Sequence, residues 1–279
     1  TLDPLFEGIK GEVILFHTAG IIHPKKSKDF FKINLDGSTN VLKKSIEKKL
    51  DKAIFISSNS PFGCNPFKEH RFTEESPYRP YMNYGKSKMK MELSIQSLAK
   101  DANLSVTIIR CPWFYGPNQP YRQTTFFQMI KNGKMPIVGS GHNLRSMSYI
   151  DNLCQGILLA SLKKHQNIKS YWIADERPYS MIEIIETISS LLSKEFAYDV
   201  KKNKIHLPWI TGEIATFVDW MTQKTGLYFQ KVHVLSEMNK NIACSVNLAK
   251  RELNYQPRIQ LEEGMRRSIA WCKEAGYVI

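Results

Sequence analysis

The chain has 279 residues, 42% hydrophobic and 23% charged, which suits one large domain or a domain with a smaller lobe. No run of about 18 apolar residues occurs, which argues against a transmembrane helix. The net charge of +13 comes from scattered lysines, densest in "KKSIEKKLDK" (Lys43–Lys52); with no helix-turn-helix, zinc-finger or aromatic-plus-basic signature beside them, they read as a solvated surface, and no nucleic-acid partner is expected.

"EVILFHTAG" (Glu12–Gly20) is a short apolar run ending in small residues, the pattern of a buried strand and its loop. Residues 29–49 follow with helical spacing that sets Phe30, Ile33, Val41, Leu42 and Ile46 on one side. "KAIFISS" (Lys52–Ser58) is a second strand, and "SVTIIR" (Ser105–Arg110) a third. Between them a Pro-, Asn- and Gly-rich loop leads to a helix over Tyr81–Lys100. Alternating strands and helices predict a parallel sheet with crossover helices covering both faces. Its ligands bind beyond the carboxyl ends of the strands, so the loops starting at His17, Ser57 and Cys111 should share one edge.

Further on, "FFQMIKNGKMPIVGSG" predicts a helix and a short strand. "YIDNLCQGILLASLKK" predicts a helix turning Leu153, Ile157, Leu158 and Ala160 toward a core, and "SYWIAD" another strand. "SMIEIIETISSLLSK" opens with Ser180 and carries Glu183 three places on, a capping box. The expected organisation is a larger α/β domain over residues 1–174 and a smaller α/β lobe over 175–279 that carries the substrate side, with 118–145 contributing to that side. Within the lobe, Leu207–Phe229 sets Ile210, Ile214, Phe217, Val218 and Met221 at helical spacing. The plain expectation is a helix packed over the site; the sharper ones are an apolar substrate lid or a helix lying on a membrane surface.

The five cysteines are odd in number and form no CxxC, which points to free thiols in a reducing compartment, the cytoplasm. The seven histidines include no HExxH, so no metal site is expected.

One pair carries chemistry. In "YMNYGKSKMK", Tyr84 and Lys88 are four residues apart and share a helix face. An ammonium beside a phenol favours the phenolate, so such a tyrosine can exchange protons near neutral pH. Spacing alone is weak, since many helices contain YxxxK by chance. "FISSNS" adds Ser57, Ser58 and Ser60 at the end of the preceding strand, where a hydroxyl could hold a substrate oxygen.

The chain resembles the extended short-chain dehydrogenases/reductases of the NAD-dependent epimerase/dehydratase superfamily. The resemblance rests on "FHTAG" (Phe16–Gly20), "INLDGSTNVL" (Ile33–Leu42), "FISSNSPFG" (Phe55–Gly63), "YGKSK" (Tyr84–Lys88), "RCPWFYGPNQP" (Arg110–Pro120), "GSGHNLRSMSYIDNLCQGILLA" (Gly139–Ala160) and "LNYQPRIQLEEGMRRSIAW" (Leu253–Trp271), all in family order. It implies a Rossmann-like doubly wound parallel sheet and hydride transfer at a carbinol or carbonyl carbon with NAD or NADP, NAD being favoured. By the same resemblance Tyr84 is the acid/base, Lys88 lowers its pKa and binds the nicotinamide ribose, and Ser58 holds the substrate oxygen. Thr18, Ala19, Gly20 and Asn34 line the cofactor, and Pro112 flanks the nicotinamide. Arg145 contacts a substrate phosphate, with Ser60 on the substrate side; a surface or salt-bridging arginine is an equal reading of Arg145. Relatives often form homodimers through the YxxxK helix and its neighbour.

The sequence departs from the family at three places. Phe62 stands where tyrosine is common, and Cys111 replaces a common proline, reading as a small buried residue. No G-x-x-G-x-x-G turn precedes the first strand; only Gly8 and Gly11 are near it. On the family pattern roughly 60 residues, about two βα units, are expected ahead of it, so the chain reads as a truncated form whose sheet has an open flank. The expected substrate is a nucleotide sugar, to which Arg145 points and which is the broader group in the superfamily; the alternative, to which the apolar helix points, is an alcohol of the 3β-hydroxysteroid or dihydroflavonol kind. A third reading, of another class, is a non-catalytic dinucleotide sensor on the same fold.

Overall fold

The structure, a computed structural model, describes residues 2–8, 11–165 and 168–279. Strand β1 (Ile14–His17) leads into a helix that begins as α1 (Lys28–Phe30), widens into a π turn over Phe31–Gly37, and continues as α2 (Ser38–Glu47). Then come β2 (Lys52–Ser58), α3 (Met82–Ala99) and β3 (Ser105–Cys111). The chain next forms β4 (Trp113–Tyr115), α4 (Tyr121–Lys131), β5 (Pro136–Val138), β6 (Leu144–Arg145), β7 (Met147–Tyr149) and α5 (Ile150–Leu162). After β8 (Lys169–Trp172) and β9 (Tyr179–Ser180) come α6 (Met181–Ser190), β10 (Ile205–Leu207), α7 (Ile210–Lys224), α8 (Gln230–Glu237), α9 (Asn247–Leu253) and α10 (Leu261–Glu274).

The main sheet runs β1-β2-β3-β8, every pair parallel. Its two faces bury alternate residues of the same strands, as a period of two requires. Ala53 and Phe55 of β2 with Val106 and Ile108 of β3 pack against Leu42 of α2 and Met91 and Ile95 of α3. Ile54 and Ile109, on the opposite face, pack with Leu153 and Ala160 of α5 and with Leu253 of α9. Parallel strands covered on both faces read as continuous apolar runs, which is why β2 and β3 were legible at once. A second core gathers β4, β5 and β7 with α4, α6 and α10. The capping box of α6 forms as its sequence predicts: Ser180 Oγ accepts from Glu183 N and Glu183 accepts from Ser180 N.

Three faces differ from the sequence expectation. Ile33 is 40% exposed while Asn34 is fully buried, because the π turn adds a residue per turn and rotates the apolar phase by one position. Leu158 is 58% exposed, since the inward stripe of α5 follows Leu153, Gly156 and Ala160 and position 158 falls opposite. Most telling is α7: Ile210, Ile214, Phe217, Val218 and Met221 share a face, but it is turned outward, and the helix buries Gly212, Ala215, Asp219 and Gln223 instead. Among the described residues no helix is long and apolar enough to cross a membrane.

Candidate active site

Parallel register sets the three loops side by side. Ser58, the last residue of β2, is paired with Cys111, the last of β3, so Pro112 begins its loop next to the Ser58–Ser60 turn. His17 at the end of β1 is opposite Phe55. Thr18, Ala19 and Gly20 follow His17 and are exposed, whereas Pro112 is buried.

The start of α3 is fixed against the Ser58–Ser60 turn by backbone alone. Tyr81 N donates to Ser60 O (2.9 Å) and Gly85 N to Tyr81 O (3.0 Å). A Cβ on Gly85 would collide with the Ser60 carbonyl, so only glycine allows this approach. Met82, between them, takes a left-handed conformation (φ 51°), a local strain held by the surrounding bonds. Tyr84 is therefore carried in the first turn of α3, half-buried, its ring 5.7 Å from that of Phe30.

Lys88 lies one turn further in and is 5% exposed. Its ammonium donates to Ile56 O (2.8 Å) and makes a long contact with Met91 Sδ (3.8 Å). Burial pulls its pKa down to about 8, against the opposing pull of Cys111 and Glu92. The loop after β1 comes near it: a Cβ on Gly20 would fall 3.5 Å from Lys88 Nζ and 3.2 Å from Asn34 Oδ1. Asn34 spends its amide on the protein, accepting from Ile21 N (2.8 Å) and donating to Ile21 O (3.0 Å) and Ser87 Oγ (3.2 Å). It ties the loop after β1 to α3. His17 donates to or accepts from Ser38 Oγ at 2.9 Å, and burial with the nearby Lys88 charge holds its pKa down at about 4, so it is neutral.

The serines divide their work. Ser57 Oγ turns away to Glu92 Oε1, while Ser58 Oγ stays at the sheet edge 3.4 Å from Ser60 Oγ. Cys111 Sγ donates to Ser57 O (3.3 Å), and burial pushes the thiol up to about 11, which keeps it protonated.

Sequence reasoning missed the platform beneath these groups. Glu92, one turn beyond Lys88, is fully buried and accepts from Arg110 Nη2 (2.7 Å), Arg110 Nε (3.1 Å) and Tyr78 OH (2.8 Å). Phe62, in the place of the usual tyrosine, has its ring centroid 4.4 Å from this guanidinium. The signal was present: Tyr84, Lys88 and Glu92 recur every four residues on one helical face.

It also missed the polar seam beside Tyr84. Asp219 and Gln223 of α7 are buried; Asp219 Oδ2 binds His233 Nδ1 (2.7 Å) and Gln223 Oε1 accepts from Asn83 N (3.0 Å). Tyr81 OH meets Ser236 Oγ at 2.7 Å. Burial pulls the His233 imidazolium down, but Asp219 and Glu237 outweigh it and its pKa stands above the ordinary histidine value. Arg145 is not brought into direct contact with Tyr84, Lys88 or Ser58. Its guanidinium is paired with Glu237 (3.3 Å), whose carboxylate is 3.8 Å from His233 Nε2.

The edge fits the nicotinamide half of a dinucleotide. The Gly20 loop lies beside a buried ammonium that has two acceptors among the described residues, which leaves one of its three N–H groups for a hydroxyl of a ligand, and the Ser58 and Ser60 hydroxyls lie 3.4 Å apart at the end of the neighbouring strand. Among the described residues no three His, Cys, Asp or Glu side chains are grouped to hold a metal.

Residues 9–174 match the model of the NAD dependent epimerase/dehydratase family. The chain is 50% identical over 270 residues to the uncharacterized protein y4nL of Sinorhizobium fredii, covering 96% of this chain and 76% of that one. It is 22% identical over 267 residues to the UDP-glucose 4-epimerase of Vibrio cholerae, covering 93% and 76%. Its fold is similar to the crystal structure of UDP-glucuronic acid 4-epimerase from Bacillus cereus in complex with NAD, at a TM-score of 0.74, 22% identity, 99% of this chain and 78% of that one.

Proposed function

This chain belongs to the NAD-dependent epimerase/dehydratase family, and we propose that within it Tyr84 is the general acid/base for oxidation and reduction at a carbinol carbon of a nucleotide sugar. The observation that carries the proposal is Lys88, an ammonium buried one helical turn from Tyr84 and close to the Gly20 loop. A charge is costly in such a place unless something needs it. NAD, when bound, accepts a hydride from the carbon and can return it. Tyr84 takes the hydroxyl proton as the carbonyl forms and gives it back on reduction, and the Lys88 charge stabilises the phenolate between those events. Ser58 donates to the substrate oxygen and holds it in line with Tyr84. Arg145 exchanges Glu237 for the substrate's phosphate, an exchange of one anionic partner for another.

The choice of a nucleotide sugar over a sterol-like alcohol is supported by α7. Its apolar residues, which would favour the alcohol, lie on its outer face, and the face beside Asn83 and Tyr81 is polar. The test is turnover by the purified protein supplied with NAD and UDP-glucose, UDP-glucuronic acid, dTDP-glucose or a 3β-hydroxysteroid. Conversion of one nucleotide sugar, lost by at least about 10²-fold in Tyr84→Phe with NAD binding retained, supports the proposal. Conversion of the steroid alone would overturn the substrate, and unchanged turnover in Tyr84→Phe would overturn the acid/base role. Dinucleotide binding with no conversion of any compound would leave a sensor in place of an enzyme.

A further inference from the structure

A helix on a folded surface normally turns its apolar stripe inward. Helix α7 does the reverse. The buried positions Gly212, Ala215, Asp219 and Gln223 are small or polar, and their partners are Asn83 of α3 and His233 of α8. The outward positions Ile210, Ile214, Phe217, Val218 and Met221 are 42–61% exposed. The inward face is tied down by specific hydrogen bonds, so rolling the helix to bury its stripe would strand the Asp219 carboxylate. The apolar face is thus the intended outer surface, and it is larger than scattered surface apolar residues account for.

Its border says what covers it. Trp209 and Trp220 flank the stripe, 60% and 40% exposed. Lys224 Nζ lies 3.8 Å over the Trp220 ring, its stem along the apolar surface and its charge at the margin. Lys26, bridged through its backbone to Leu227, and Lys231 of α8 are exposed at the same end. From Lys201 to Ser236 the only carboxylates are Glu213 and Asp219. Glu213 is paired with Lys240, and Asp219 is fully buried on His233. Within Lys201–Ser236, the segment that carries this face, the lysines are thus not balanced by a free carboxylate. A second copy of this chain would bring the same lysines against their own images, on a protein already carrying +13.

We propose that α7 lies on an anionic lipid surface, its apolar residues among the acyl chains, its tryptophans at the headgroup level and its lysines on the lipid phosphates. The inner face of the same helix holds Asn83, the residue before Tyr84, so docking brings the start of the catalytic helix next to the membrane.

Flotation of the purified protein with vesicles tests this. With phosphatidylcholine alone little protein should float; with phosphatidylglycerol added, binding should rise at least about tenfold and fall again as salt is raised. Ile214→Ser/Phe217→Ser/Met221→Ser should lose at least about tenfold in binding with an unchanged or higher Tm, because those side chains are already in water. Lys224→Glu/Lys231→Glu should lose binding to the phosphatidylglycerol vesicles without unfolding, and it decides the matter if the triple variant fails to fold. No flotation with phosphatidylglycerol at low salt would overturn the proposal. So would a triple variant that still floats, or one that turns a dimer of non-floating wild type into a monomer, which would make the covering surface a second copy.

Discussion

Gly85 backs directly onto the carbonyl of Ser60, with no space for a side chain between helix α3 and the turn that carries Ser58. The two backbones meet because Tyr81 N is bonded to that same carbonyl. The glycine in YGKSK thus sets the distance between the helix that carries Tyr84 and the turn that carries Ser58.

Gly85→Ala should therefore do more than its size suggests. The obstacle is backbone and cannot rotate away, so the expected loss is about 1–3 kcal/mol of stability. Turnover should fall about 10²-fold or more, because the first turn of α3 must move away from Ser58. Urea unfolding and steady-state rates measure the two effects. A variant with wild-type stability and rate would show that the approach is not needed.

The Glu92–Arg110 pair is buried on both sides, with Tyr78 and Ser57 bonded to the same carboxylate. Glu92→Gln leaves a buried guanidinium without its counter-charge, at an expected cost of about 3–5 kcal/mol. Replacing both partners, Glu92→Leu with Arg110→Met, should recover much of that loss. A double variant as unstable as the single one would refute this account of the pair; urea midpoints decide it.

Lys88 makes stability depend on pH in a distinctive direction. Folding holds its pKa at about 8 against an ordinary value of 10.5. Between those pH values the unfolded chain binds a proton that the folded chain has released, so stability rises with pH. Below pH 8 the buried ammonium costs its full penalty, at most about 3 kcal/mol. Lys88→Met should remove the rise, so the stability difference, wild type minus variant, should climb across this window. A flat difference in denaturant titrations from pH 7 to pH 10 would mean that Lys88 is not held below its ordinary pKa.

His233 works in the opposite sense. Its folded pKa is raised, mainly because Asp219 and Glu237 offset its burial. The stabilisation is fully present below the ordinary pKa of 6.5 and is lost as pH rises through the folded value. His233→Asn should lower Tm most at acidic pH, with the gap closing on the alkaline side. Tm measured in paired buffers tests this, and a gap that widens with pH would contradict it.

Much of the fold could be read in advance because it rests on local pattern. The runs in β2 and β3, the capping box at Ser180 and the i, i+4 spacing of Tyr84 and Lys88 are properties of short segments. The order of the family segments linked them to one edge of a sheet. Ile33 and Leu158 escaped because a π turn or a small rotation of a helix shifts the buried phase without any mark in the apolar count.

The amino-acid sequence by itself determined the parallel αβ architecture, the family, and the residue types fit for proton transfer, since periodicity and motif spacing encode them directly. Only the tertiary structure decided how those residues are supported and which way α7 faces. The carboxylate partner of Arg110 comes from 18 positions away, and Gln223 reaches Asn83 across 140. Whether an apolar stripe turns inward depends on what its polar face can bond to. For α7 that partner set lies on α3 and α8, and it holds the helix with its hydrophobic side in water.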